Sequence, residues 1–277
     1  TGFLDIEPET TLTGKKFYKS PDDIRSALYS TYSSLRDNGL YSASIYLFGA
    51  VRSDVAFPNQ TNYYANTFRH EIEKFTISAN NSGNQNYWAH HYKGIIRANT
   101  VIEKGKELFG NDETVQKYIA EAEVLRALFY FNLVRAYGGV PIESNNLYRS
   151  TNSGEKTPTG RVDKYVAEAL LGKVLLSMPN DITEAAYPDV ETWKDISINP
   201  NITVFYPKTT TTQYEAAKYY LEDVINNGGY ELYPNFSELF KSTNKHSCES
   251  IWEVEYKPGQ WVGMGSAFYT LLLPASY

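Results

Sequence analysis

The amino-acid sequence predicts a mainly α-helical fold built from helix pairs and long loops, with a minor β element. Five stretches carry apolar residues at helical spacing, the segments between them are rich in Asn, Thr and Pro, and one short stretch near the end alternates between apolar and charged residues. With 277 residues, 42% of them apolar, the chain is long enough to bury a sizeable core. We expect residues 1–277 to form a single domain.

The first predicted helix runs from Pro21 to about Asp37. Ser20 is suited to the N-cap position, Pro21 to the first helical position and Asp23 to the place that completes a capping box. Four apolar residues follow on one face: Ile24, Leu28, Tyr32 and Leu35. The next segment, residues 38–84, has little periodicity and is predicted to be irregular, as long functional loops often are.

The second predicted helix begins near Gln85 and carries one stripe of residues at helical spacing: Trp88, Tyr92, Ile95, Asn99 and Ile102. Asn99 is polar, and because buried polar groups need partners, we expect its side chain to bond to a neighbouring helix or loop. Trp88 is predicted to lie in the core because it shares this stripe.

The third predicted helix begins near Glu113 and ends in AEAEVLRALFYFNLVRAYGGVPI, residues 120–142, the densest apolar run in the chain. Its second half is apolar all round except for Arg126, Asn132 and Arg135, which predicts a helix buried on most sides. Glu123 lies three residues before Arg126 and is placed to pair with it. One of the two glycines after Tyr137 is expected to adopt the left-handed conformation at the helix end.

Two further helices are predicted at residues 161–178 and 212–227, and a strand is predicted in ESIWEVEYK, residues 249–257. The two helical segments contain AEALLGKVLLSM and YEAAKYYLEDVI, which place small residues where two helices cross closely, as tetratricopeptide (TPR) units do. The helix pairs do not repeat at a clean period, so the prediction is a degenerate, TPR-like arrangement.

Charge and motif content exclude several classes of function. The formal net charge is -6 and the chain has no run of Lys and Arg, so nucleic acid is not an expected ligand. The four histidines and the single cysteine, Cys248, show no spacing typical of a metal site, and neither a metal nor another cofactor is predicted. The 24 tyrosines, 13 phenylalanines and 4 tryptophans suit recognition of sugars or peptides.

Six segments, in order along the chain, resemble the SusD/RagB family of outer-membrane nutrient-binding lipoproteins. The most characteristic is AEAEVLRALFYFNLVRAYGGVPI, which is similar to that family's helix ending in GGVP, and WAHHYKGIIRANTVIE is similar to the helix before it. The others are FLDIEP, GRVDKYVAEALLGKVLL, YEAAKYYLEDVINNGGYEL and ESIWEVEY. Family members are usually considerably longer, so the resemblance also implies that this chain lacks the family's C-terminal part.

The resemblance implies a SusD-like fold, with TPR-like helix pairs as scaffold, and a protein without enzymatic activity. Such proteins capture oligosaccharide or polysaccharide at the cell surface and deliver it to a SusC-like TonB-dependent barrel in the outer membrane. They face outward as lipoproteins, so contact with the membrane is expected only through an N-terminal lipid anchor. The resemblance places the lipid-bearing cysteine just before Thr1, so the anchor is absent from this chain.

Two predicted loops combine aromatic rings with polar side chains, which are the ingredients of a shallow sugar site. In RSDVAFPNQTNYY the candidate ligand-binding residues are Asp54, Asn59, Asn62, Tyr63 and Tyr64, and in GQWVGMGSAFY they are Gln260, Trp261 and Tyr269. An aromatic face stacks on the C–H face of a sugar ring, while the polar groups bond to its hydroxyls. These choices depend on loop placement and chemistry, because the segments that carry the resemblance are scaffold segments.

Three alternatives to glycan capture remain open from the residues. A peptide-capturing member of the same family would use similar loops. A TPR-type protein-interaction adaptor would need short turns between helices, whereas the predicted loops are long. A glycosidase would need two carboxylates, and Glu253 and Glu255 share one face of the predicted strand. Alternating charges usually mark the solvent face of a strand, so no catalytic residue is predicted.

Overall fold

The computed structural model describes residues 18–53, 55–58, 67–141, 160–177, 213–239, 241 and 243–254. The helices in these ranges are α1 (Pro21–Ser34), α2 (Ser44–Tyr46), a π-helix (Leu47–Val51), α3 (Thr67–Glu73), α4 (Ser82–Phe109), α5 (Glu113–Tyr137), α6 (Lys164–Ser177), α7 (Gln213–Asn227) and α8 (Phe236–Leu239). The mainly α-helical prediction is confirmed. Described residues up to Phe129 form one compact unit and those from Tyr130 form a second, while the single-domain assignment stays a prediction.

Helix α1 begins where the capping residues predict. The Asp23 carboxylate accepts hydrogen bonds from the backbone N–H of Lys19, the backbone N–H of Ser20 and the Ser20 hydroxyl, each at 2.9 Å. These bonds, the one from Lys19 most of all, lower the pKa of Asp23. The helix ends at Ser34, earlier than predicted, and Ile24 and Leu28 are fully buried on the side that packs against α4.

Two glycines on α4 allow α4 and the part of α5 up to Phe129 to approach closely. A Cβ atom on Gly94 would lie 2.7 Å from two ring carbons of Phe129, and one on Gly105 would lie 2.8 Å from Cγ1 of Ile119. Gly94 and Gly105 are three helical turns apart, so both lie on the same face of α4. Gly94 therefore leaves room for the large, fully buried ring of Phe129, and Gly105 leaves room for Ile119.

Buried polar residues of α5 bond to both neighbouring helices. Arg126 Nη1 donates to the side-chain oxygen of Asn99 on α4 at 2.9 Å, which confirms that Asn99 has a structural partner. Lys106 Nζ on α4 lies 3.2 Å from Glu123 Oε1, so Glu123 has a cationic partner on another helix, while its pairing with Arg126 stays a prediction. The Tyr32 hydroxyl on α1 donates to Glu121 Oε2 at 2.7 Å.

Three further sequence predictions differ from the structure. Residues 38–84 are not irregular throughout, because α2, the π-helix and α3 lie within them and α4 already begins at Ser82. Trp88 is 36% exposed rather than part of the core. The strand predicted in ESIWEVEYK is absent from its described part, residues 249–254. Just before it, the Cys248 carbonyl accepts a hydrogen bond from the Glu231 N–H.

The second unit contains α6 and α7 packed against each other. A Cβ atom on Gly172 of α6 would lie 2.7 Å from Leu221 of α7, and Ala216 and Ala217 are fully buried beside Leu175. Small residues therefore permit the close crossing that the sequence predicts. Gly138, with a φ of +76°, adopts the left-handed conformation expected just after α5.

Candidate functional site

None of the eight predicted ligand-binding residues lies within the described ranges. Five of them, Asp54, Asn59, Asn62, Tyr63 and Tyr64, fall between the π-helix and α3, and Gln260, Trp261 and Tyr269 follow the last described residue. Their assignment to a sugar site stays a prediction. The described residues on both sides of segment 59–66 show how that segment is anchored.

A small hydrophobic cluster joins the two ends of this segment. Leu47 and Val51 of the π-helix pack with Ile72 of α3, and each of the three is at most 5% exposed. Four partly buried residues surround them: Phe48, Ala56, Phe68 and Ile77. Because the cluster contains residues from before and after segment 59–66, it fixes the chain on both sides of the predicted ligand loop.

Asn81 links the end of α3 to the start of α4. Its side-chain NH2 donates to the Phe68 carbonyl and to Glu71 Oε2, both at 2.8 Å, while its side-chain oxygen accepts the Asn84 N–H at 2.9 Å as the N-cap of α4. Glu71 Oε2 also accepts from the backbone N–H and the hydroxyl of Ser78. These hydrogen bonds lower the pKa of Glu71, and the bond from Asn81 has the largest effect.

Arg52 is the first residue of the predicted loop RSDVAFPNQTNYY. Its guanidinium carbon lies 4.9 Å from the ring centre of Phe75 and 5.9 Å from that of Phe48. Asp54 of this loop is among the candidate ligand-binding residues selected from the sequence, and Arg52 is not. The spacing of Phe48 and Arg52, four residues apart in a helical segment, is the sequence signal that could have identified this stacked cation.

The other residues considered for chemistry have structural contacts. Glu253 Oε1 accepts the backbone N–H of His246 at 3.2 Å, and the Trp252 indole N–H donates to the Gly160 carbonyl at 3.3 Å. Glu255 lies outside the described residues, so the carboxylate pair is not tested. Across the described ranges, no group of three or more His, Cys, Asp or Glu side chains is arranged to hold a metal. The same ranges contain no helix with the length and apolar character needed to cross a membrane.

Comparison with curated proteins relates the chain to one family. A SusD-like family model described as "Starch-binding associating with outer membrane" matches residues 2–187. The SusD-like protein P25 of Formosa agariphila is 22% identical over 92% of this chain and 48% of its own length. A SusD-like protein of Bacteroides ovatus is 23% identical over 94% of this chain and 47% of its own length. The chain thus spans about half the length of these relatives.

Solved structures share the fold. Surface glycan-binding protein A from Bacteroides thetaiotaomicron, in complex with laminarihexaose, has a TM-score of 0.60 and 20% identity, covering 85% of this chain and 49% of its own. A crystal structure with xylogluco-oligosaccharide has a TM-score of 0.61 and 22% identity, covering 87% of this chain and 49% of its own. These structures show the fold, and the family match over residues 2–187 shows that the chain belongs to the SusD-like family.

Proposed function

We propose that this chain belongs to a cell-surface protein that captures oligosaccharide or polysaccharide without cleaving it. The family match over residues 2–187, to a model described as starch-binding, is the observation that carries the proposal. Two neighbours in fold, solved with laminarihexaose and with a xylogluco-oligosaccharide, support the same class of ligand. The protein is an outward-facing lipoprotein of the outer membrane and passes the glycan to a SusC-like TonB-dependent barrel.

The physical basis of capture is an aromatic loop on a rigid helical frame. Stacking of a sugar on a ring and bonding of its hydroxyls need well-placed groups but no proton transfer. Tyr63 and Tyr64 stand in the predicted loop between the π-helix and α3, and the cluster of Leu47, Val51 and Ile72 holds the chain on both sides of it. Anchored ends reduce the entropy that the loop loses on binding, which favours affinity.

Affinity electrophoresis through gels that contain starch, laminarin or xyloglucan tests glycan capture. We expect at least one of them to retain the protein, and Trp261→Ala or Tyr63→Ala to weaken retention about tenfold, equivalent to about 1.4 kcal/mol. Tyr29→Ala is the matched control, because Tyr29 is an exposed tyrosine on α1, remote in sequence from both loops. Unchanged retention of both loop variants would reject these residues as the site.

Two further measurements separate capture from the alternatives. Release of reducing sugar from a retained glycan would contradict the proposal that the protein captures glycan without cleaving it, and would favour the glycosidase hypothesis. Retention on a peptide array with no retention on any glycan would favour a peptide-capturing member of the family.

The partner and the location require the full-length protein in cells. We expect metabolic labelling with a fatty acid to mark it, external protease to reach it, and a TonB-dependent barrel to co-purify with it. A protein that is protected from external protease and unlabelled would contradict the proposed location.

A further inference from the structure

Arg52 and Arg69 of the first unit pair with no acidic side chain among the described residues, and each lies over an aromatic ring. The guanidinium of Arg52 stacks on Phe75 and Phe48, and that of Arg69 lies 5.3 Å from the ring centre of Phe68. The carboxylates of α3 are already engaged elsewhere: Glu71 with Asn81 and Ser78, and Glu73 with His70.

The Nε donor of Arg69 lacks a hydrogen-bond acceptor. Its Nε atom is buried and makes no hydrogen bond, and burial lowers the pKa of its guanidinium. A buried N–H of a charged group that has lost water without gaining an acceptor is destabilising. The Arg69 side chain as a whole is only partly buried, so an anion bound beside its guanidinium would offset this cost.

Both cations rest on one platform. Phe48 and Phe68, the rings beneath Arg52 and Arg69, pack against the same cluster of Leu47, Val51 and Ile72. A guanidinium that stacks on a ring through its face keeps its edge N–H groups available, and that edge matches the two oxygens of a carboxylate or sulfate. The platform therefore fixes the rings, and both arginine side chains above them are only partly buried.

Phe75 adds an exposed aromatic surface next to Arg52. The residue follows α3 with a φ of +57°, a conformation that is uncommon for a bulky side chain, and its ring remains 64% exposed. Glycine is the usual residue where a helix ends in this conformation. The chain instead holds a large apolar ring at the surface, where a sugar ring can stack beside the guanidinium.

We propose that Arg52 and Arg69 make this surface selective for glycans that carry carboxylate or sulfate groups. The acidic group binds the guanidinium edges, and the sugar ring stacks on Phe75. This inference rests on the proposed glycan capture and specifies its ligand class.

Matched polysaccharide pairs test the selectivity. Polygalacturonate and alginate are compared with their carboxyl-reduced forms, and fucoidan with its desulfated form, by affinity electrophoresis. We expect at least one acidic polymer to bind about tenfold or more tightly than its neutral form, as loss of a charge-assisted hydrogen bond predicts. The carboxylate and sulfate pairs show which oxyanion is preferred.

Variants assign the effect to the two arginines. Arg52→Gln is expected to remove the preference for the acidic polymer, and Arg52→Lys to restore it only in part because lysine lacks the planar fork. Arg25→Gln is the control, since it removes the same charge from a surface arginine that pairs with Asp22. Arg69→Met is expected to weaken binding while keeping or raising the thermal unfolding midpoint, which a purely structural role would not do.

The outcomes separate this inference from the proposed function. Binding of neutral polymers that is equal to or tighter than that of their acidic counterparts, and unchanged in Arg52→Gln, overturns the acidic selectivity while glycan capture stands. Equal loss of acidic binding in Arg52→Gln and Arg25→Gln attributes the effect to overall charge and also overturns it. Absence of binding to every acidic and neutral polymer, including starch, laminarin and xyloglucan, contradicts the proposed function itself.

Discussion

His91 is a fully buried histidine whose burial makes the stability of the first unit depend on pH. Its Nδ1 atom lies 2.7 Å from the Tyr87 carbonyl oxygen, so Nδ1 is the protonated nitrogen, and its Nε2 atom is buried without a hydrogen-bond partner. Its ring lies 4.2 Å from that of Tyr87 and 6.3 Å from that of Phe129. Burial, opposed by the bond to Tyr87, lowers the pKa of His91 from 6.5 to about 4.

The lowered pKa of His91 fixes the sign and size of the effect. The unfolded chain takes up a proton near pH 6.5 and the folded chain only near pH 4, so the stability due to neutral His91 is complete above 6.5 and is lost as pH falls through 4. The full difference of about 2.5 pKa units corresponds to about 3 kcal/mol, and the part lost between pH 8 and pH 5 is about 2 kcal/mol.

Urea unfolding at pH 8 and pH 5, followed by circular dichroism, measures this loss. His91→Leu has a similar volume and no titrating group, so its unfolding free energy should fall by about 2 kcal/mol less than that of the wild type over this interval. His90→Leu is the control, because His90 is adjacent but partly exposed, and it should retain the His91 contribution. Equal losses in the wild type and His91→Leu would refute the reasoning.

Three further changes test individual contacts. Gly94→Ala places a Cβ atom 2.7 Å from Phe129 and is expected to cost about 1–3 kcal/mol in urea unfolding, whereas Gly49→Ala, with nothing within 4 Å, should not destabilise. Asn81→Asp keeps the N-cap oxygen but turns a donor to Glu71 into a second carboxylate, so the thermal midpoint should fall at pH 7 and recover in part near pH 4. Burial raises the pKa of Glu168 to about 7, so the wild type loses stability as pH rises from 4.5 through 7, and Glu168→Gln should melt higher than the wild type at pH 8 but not at pH 4.

Local rules predict the helix starts well. The start of α1 is encoded by Ser20, Pro21 and Asp23, which act on backbone groups within a few residues, and the structure confirms it. The sequence also predicts that Asn99 needs a hydrogen-bond partner, but it does not identify that partner. Arg126 lies 27 residues away on another helix, and only the packing of α4 against α5 brings the two together.

Trp88 shows where periodicity fails. The stripe from Trp88 to Ile102 repeats every seven residues, while an α-helix drifts by about 20° per heptad, so the two ends differ by about 40° in direction. Ile102 is 1% exposed and Trp88 is 36% exposed. The strand predicted in residues 249–257 fails for a different reason, since alternation does not supply the neighbouring strand that a β-ladder needs.

The ligand site is less predictable than the scaffold. Aromatic and amide side chains such as Tyr63 and Asn62 identify a loop suited to sugars, but the angles between rings that recognise one sugar are properties of the folded loop. The predicted set does not contain Arg52, because the relevance of Arg52 depends on stacking with Phe75, which lies 23 residues further along the chain. Contacts of this kind arise from the path of the chain between helices.

The polar residues of α5 determine which packing arrangement forms as well as how stable it is. Apolar side chains can slide past one another by one helical turn, about 5.4 Å, and still be buried. Such a shift would carry Glu121, Glu123 and Arg126 away from their partners on α1 and α4. Each buried charge left without a partner would cost about 3–5 kcal/mol of folding free energy. The three contacts therefore fix the register of α5 against α1 and α4 and exclude packing shifted by one turn.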